Sequence, residues 1–334
     1  MHMADALISP AVAAVMGAAS LGVTAYSVRK VAIEEKDTKK VPLMGVMGAF
    51  VFAAQMLNFT IPGTGSSGHI CGGMLLAAML GPYPAFLTMV VVLLLQCLIF
   101  ADGGLMALGC NIWNMAFYAC FIGYFALYRP ITRSKVTRTR IMAGSVLGCI
   151  LSLQMGAFSV VLETHASGIT ELPFGVFVGL MQPIHLAIGA VEGVLTGLVL
   201  IFVYETRPEM IHAENRKNRL SYGKIIAVFA VVAAVFAGGI SLVASANPDG
   251  LEWSIGKTAG VEELESEGKS YDTASGVVDK TAVLADYTVN DTDKPIGTTT
   301  AGLIGAVVTA AVCAGVCGVV TGIRKRRLTA NENR

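Results

Sequence analysis

Charge is what this sequence has least of. Of 334 residues only 14% are charged, against 54% hydrophobic, and the mean hydropathy is +0.66. A soluble globular chain carries about 25% charged residues, so an ordinary water-bathed surface is excluded over most of the length. The net charge of +1 offers no face for a polyanion, and no nucleic-acid signature is present. The seven cysteines (Cys71, Cys97, Cys110, Cys120, Cys149, Cys313 and Cys317) all lie within or beside apolar runs, and none lies in the long polar segment. That excludes a disulfide framework and reads them as small packing residues. No Lys or Arg precedes Arg29, so the first apolar stretch lacks the basic start of a secretory signal and is expected to be retained. A His-Glu-x-x-His helix is absent. So is an ATP-binding loop, because Gly256-Lys257-Thr258 follows Gly250 at the wrong spacing.

What is present are long apolar runs, at 8–28, 42–60, 70–82, 84–101, 110–128, 141–162, 173–204, 224–245 and 298–323. They predict an all-α polytopic membrane bundle of about nine transmembrane helices. The run 70–82 is short, ended by Pro82 and Pro84, and 173–204 is long enough for one kinked span at Pro183 but not for two. Four basic segments (29–40, 129–140, 205–224 and the tail from Arg324) fall on one side only if all nine runs cross. The N-terminus then faces outward and the C-terminus inward. Segment 246–297 holds eleven acidic and four basic residues, net −7 (4 − 11), and is expected outside as a small domain or partly ordered loop. The organisation reads as two proteins fused near residue 222: a unit of seven helices over 1–222, then 223–334, two helices flanking the external loop.

The chain start, Met1-His2-Met3, carries the chemistry. A metal held by the terminal amine and the backbone nitrogen of residue 2 closes a five-membered ring; that nitrogen and His2 Nδ1 close a six-membered one. Three nitrogens then share a plane with one position open, a geometry suited to Ni(II) or Cu(II). The amine must be free and deprotonated, the amide must lose its proton, and Met1 must be kept, as a bulky second residue favours. For the open position there are five histidines in all. His212 falls on the inward side, His185 inside a span, and His165 in a loop with a single glycine. His69 ends the outward loop Gly63-Thr64-Gly65-Ser66-Ser67-Gly68, whose glycines admit close backbone approach, and is the expected fourth ligand. Planar nitrogen donors favour nickel over cobalt; copper binds at least as well, so its exclusion would rest on availability.

Other polar residues have two readings. Asn111 and Asn114 share a helix face and either orient metal ligands or bond between helices. His185 and Glu192 lie two turns apart, about 10 Å, as intramembrane ionisable residues that are functional or structural partners. Ala13–Gly17 and Ala14–Ala18 permit close helix contact, internal or with another subunit.

The start Met1-His2-Met3-Ala4-Asp5-Ala6-Leu7-Ile8-Ser9-Pro10, with Gly65-Ser66-Ser67-Gly68-His69-Ile70-Cys71-Gly72-Gly73, Asp102-Gly103-Gly104, Gly109-Cys110-Asn111-Ile112-Trp113-Asn114-Met115 and His185-Leu186-Ala187-Ile188-Gly189-Ala190-Val191-Glu192-Gly193, resembles the substrate-capture M component of cobalt/nickel energy-coupling-factor transporters. Pro248-Asp249-Gly250-Leu251-Glu252-Trp253 resembles the companion N component. The resemblance implies a metal site of Met1, His2 and His69, and Ni2+ (or Co2+) as transported ligand. It also implies a membrane-embedded coupling protein and two cytoplasmic ATPase subunits as partners, with the N part assisting metal loading. A self-sufficient secondary metal-ion carrier or channel is the rival; it should show paired charges or broken helices near the midplane.

Overall fold

A computed structural model of the chain describes residues 1–34, 40–211, 219–261, 264, 266–289 and 295–332. His212 and parts of the first, third and last basic segments lie outside the described residues. Every predicted apolar run contains a helix: α1 (Pro10–Glu34), α2 (Lys40–Gln55), α3 (Gly73–Leu80), α4 (Pro82–Phe100), α5 (Leu108–Arg133), α6 (Arg138–Ser167), α7 (Phe174–Thr206), α8 (Tyr222–Gly238) and, after two short helices discussed below, α11 (Pro295–Glu332). Six of them, α1, α4, α5, α6, α7 and α11, are long and apolar enough to cross a bilayer, so the chain is an all-α membrane bundle. The helices α2 and α8 are shorter, and α3 has eight residues, about 12 Å of rise.

The run 42–60 is helical only to Gln55; its end enters a hairpin of β1 (Phe59–Ile61) and β2 (Ser66–Gly68), paired Phe59 with Gly68 and Ile61 with Ser66. Gly63 and Gly65 take left-handed backbone angles in the turn, which other residues adopt only at a cost. The run 224–245 leaves its helix at Gly238 and finishes as a 3-10 turn, Ile240–Val243. Pro183 sits inside one continuous α7, as the length of its run requires. The acidic segment is more ordered than its composition suggests, since α9 (Gly250–Ala259) and α10 (Lys269–Thr281) occupy much of it. Gly256-Lys257-Thr258 is part of α9, not a loop.

Small residues set the helix spacing, as membrane packing favours. A Cβ on Gly193 of α7 would lie 2.4 Å from Val146 Cα of α6, and one on Gly189 3.0 Å from Ile150 Cα. Gly45 and Gly48 of α2 receive Ala310 and Cys313 of α11 in the same way, and a Cβ on Gly109 of α5 would lie 2.5 Å from Gly17 N of α1. The close approach depends on Gly109, since a Cβ on Gly17 would meet nothing within 4 Å. All seven cysteines are buried, and none forms a disulfide.

Candidate metal centre

Apart from one 3-10 turn, Asp5–Leu7, the nine residues ahead of α1 are not helical, yet Met1, Met3, Leu7 and Ile8 are all buried. Asn111 explains how an irregular segment survives there. Its Oδ1 accepts from Met3 N at 2.7 Å and its Nδ2 donates to Met3 O at 3.2 Å. Gly104 N donates to the same carbonyl at 2.8 Å, and Ala107 N donates to Asp5 Oδ1 at 2.9 Å. A buried backbone needs such partners. Asn114 donates to Glu163 Oε2 at 2.7 Å and approaches Met3 Sδ at 3.6 Å. Both asparagines thus anchor the chain start.

The anchoring brings the three predicted ligands together. Met1 N lies 3.4 Å from His69 Nε2, and the His2 and His69 rings stack at 5.3 Å, 17° from parallel. His2 Nδ1, the nitrogen required for the six-membered ring, faces Asp102 Oδ1 at 3.1 Å, while Nε2 lies 3.3 Å from Gln96 Oε1. Gln96 donates to Gln55 Oε1 and Gln55 to Cys71 O, each at 2.7 Å. His2 is therefore linked by two amide side chains to the loop that carries His69. Among the described residues no three His, Cys, Asp or Glu side chains converge on one point; two imidazoles and the amine supply the nitrogens here. His165 is exposed, its ring against Phe174.

Glu192 holds the other side. From α7 it accepts the amide hydrogens of Cys71 at 2.8 Å and Gly72 at 2.9 Å, at the start of α3. Replacing it with Leu orphans two buried donors at roughly 1–3 kcal/mol each. The midpoint of thermal unfolding in detergent should fall for Glu192→Leu and recover in part for Glu192→Gln, which keeps an acceptor oxygen.

The second unit completes the centre with a residue the sequence analysis passed over. Asp249 opens α9 with a capping box: its Oδ1 accepts from Leu251 N and Glu252 N, while Glu252 accepts from Asp249 N. Its Oδ2 forms an ion pair with the Met1 amine. Ser67 N and Oγ donate to Pro248 O and Asn247 O, both at 2.8 Å, and Trp253 Nε1 donates to Thr64 O at 3.0 Å. Tyr287 donates to Asp102 Oδ2 at 2.6 Å. The residue pair Asp249 and Glu252, three apart before an apolar stretch, was the signal available for this cap. Gln55 and Gln96 left only the trace of amides inside apolar runs.

Burial and charge tune the group. Burial pushes the Met1 amine down, but the Asp249 carboxylate and its hydrogen bond leave it above the ordinary value. Asp249, raised by burial, is held below the usual carboxylate range by the ammonium and His69. His69 falls to about 3, through burial and then the adjacent ammonium and His2; His2 is lowered mainly by burial, against Asp102. Both imidazoles are thus neutral at pH 7, with lone pairs to give. A cavity of about 640 Å³ opens beside them, lined by Asp5, Asp102, Asp249, Glu252, Asp279 and Asp286 together with His2, His69 and Tyr287. Its carboxylates concentrate cations.

Residues 2–210 match the family described as the cobalt uptake substrate-specific transmembrane region, and residues 223–322 match the PDGLE domain. A chain of Archaeoglobus fulgidus whose name describes a fused nickel transport protein, NikMN, is 34% identical over 313 residues, covering 93% of this chain and 96% of that one. One of Lactiplantibacillus plantarum, described as a fused nickel transport protein, LarMN, is 32% identical over 264 residues, 76% and 78% of the two. The crystal structure of a truncated transition metal transporter superimposes with a TM-score of 0.54 at 33% identity, covering 61% of this chain and 99% of its own.

Proposed function

Since the chain belongs to the cobalt uptake substrate-specific transmembrane family, with a PDGLE domain fused behind it, we propose that it is the substrate-binding subunit of an ATP-driven nickel importer. It captures the ion with Met1 N, His2 N, His2 Nδ1 and His69 Nε2. The observation that carries this reading is the approach of the Met1 amine to His69 Nε2, 3.4 Å, beneath stacked His2 and His69 rings. Capture turns His2 Nδ1 from Asp102 to the metal, and the amine from Asp249. Cobalt, named in the family's description, is the alternative cargo; four planar nitrogens favour nickel.

The reading extends to topology and partners. Nine crossings put the chain start outside and its end inside, with the segment through α3 completing one crossing as extended chain plus a half-length helix; non-helical backbone at that depth is tolerable where protein satisfies it, as Glu192 does for Cys71 and Gly72. Residues 1–222 form the capture unit and 223–334 the loading unit. ATP hydrolysis falls to two cytoplasmic subunits acting through a membrane-embedded coupling protein.

Nickel titration of the purified full chain tests the site. His69→Ala should weaken binding by more than the roughly 10–100-fold that loss of a merely orienting group costs. Undiminished affinity would remove the loop imidazole from the set.

A further inference from the structure

A second, much smaller cavity adjoins the centre and shares His69 and Asp249 with the acidic one. It measures about 10 Å³ and is lined by Met1, His69, Cys71, Asp249 and His185, with apolar Leu153 and Ile188, room for one water or one dehydrated ion. His185 is 1% exposed. Its Nδ1 sits 2.7 Å from Met181 O, so Nδ1 carries the hydrogen and Nε2 keeps its lone pair; that Nε2 is buried with no hydrogen-bond partner. An imidazole fixed through Nδ1–H on a backbone carbonyl, with an unpartnered Nε2 beside a small void, is how proteins prepare a metal ligand. An orphaned buried nitrogen otherwise costs stability. The turn of the second unit roofs this void closely: a Cβ on Gly250 would lie 3.1 Å from His185 Cε1.

We propose that His185 Nε2 is an onward ligand, receiving the divalent metal ion from the terminal chelate as it moves from the acidic mouth into the bundle. This rests on the capture reading above. One coordinate bond forms at Nε2 while those to the chelate break, and no electrons are exchanged. The amine and the backbone nitrogen regain from water the protons they released on capture. The position accepts a borderline transition-metal dication; Asp249, within the same wall, offsets part of its charge.

The test separates capture from passage. His185→Asn retains a group at the Nδ1 position to bond Met181 O but removes the Nε2 donor, and His185→Gln serves if the first variant fails to fold, judged by its unfolding midpoint. Purified full-length chains are titrated with Ni2+ alone, and uptake of radioactive Ni2+ is followed in cells that make the complete transporter. The expected result is affinity within about threefold of the parent chain with uptake reduced at least tenfold. Unchanged uptake overturns the proposal. Lost equilibrium binding also overturns it, since His185 would then belong to the capture site or the fold. A parent chain that binds no nickel defeats the capture reading itself, a result that needs no variant.

Discussion

A single alanine placed ahead of Met1 should lower nickel affinity by about a thousandfold, or about 4 kcal/mol. The added residue turns the Met1 amine into an amide, whose nitrogen binds metal only after losing a proton, and sets the new amine about 3.8 Å further along the chain, away from the pocket that holds the first one. The space also opposes the addition: Met1 is 4% exposed, and its nitrogen is wedged between His69 Nε2 and Asp249. Isothermal titration of the full chain in detergent, original against extended, measures the difference. Equal affinity that still depends on His69 would show that the first nitrogen is not a ligand, whereas equal affinity independent of His69 would mark a new flat chelate of the added amine, two amides and His2.

The second large effect is on acidity. Between pH 6.5 and 7.5 the amine carries its proton, since Asp249 holds it above the ordinary value, and the peptide nitrogen always does. His69, at about 3, and His2, also lowered, have none to lose. Capture must then release two protons, and affinity should rise about a hundredfold per pH unit in that window, because metal and proton compete for the same lone pairs. Titrations in buffers of different ionisation heat count the protons directly. Asp249→Asn keeps a helix-capping side chain but removes the charge that sustains the ammonium, leaving burial to push the amine down. Its slope should fall toward one proton. A parent slope near zero would rule out the amine and the amide as ligands together.

Much of this could be read from residue order alone. Apolar runs located every long helix because the bilayer demands continuous hydrophobic length, and chelate-ring geometry singled out Met1 and His2 without any fold. His69 followed from a scarcity of histidines and a glycine-rich turn. The spacing of Asp249 and Glu252 marked a helix cap, but its contact with Met1 was not legible, because contacts between residues 1 and 249 depend on how distant parts of the chain pack. The hairpin hidden at the end of the second apolar run was missed for a related reason: Phe59, Thr60 and Ile61 are as apolar on average as the helix before them, and only Gly63 and Gly65 mark the turn. Glu192 had been open between two roles; its two backbone hydrogen bonds give it a structural one. His185, seven positions earlier, has no such occupation for Nε2.

The ligands hang from different beams. Met1 and His2 are suspended from α5 by Asn111, whereas His69 is strung from α7 by Glu192 through Cys71 and Gly72. A slide of one beam along the other by an ångström or two would pull the imidazole out of plane with the chain start, with no side chain changing rotamer. In the proposed site, the grip on the metal would thereby follow the relative placement of α5 and α7.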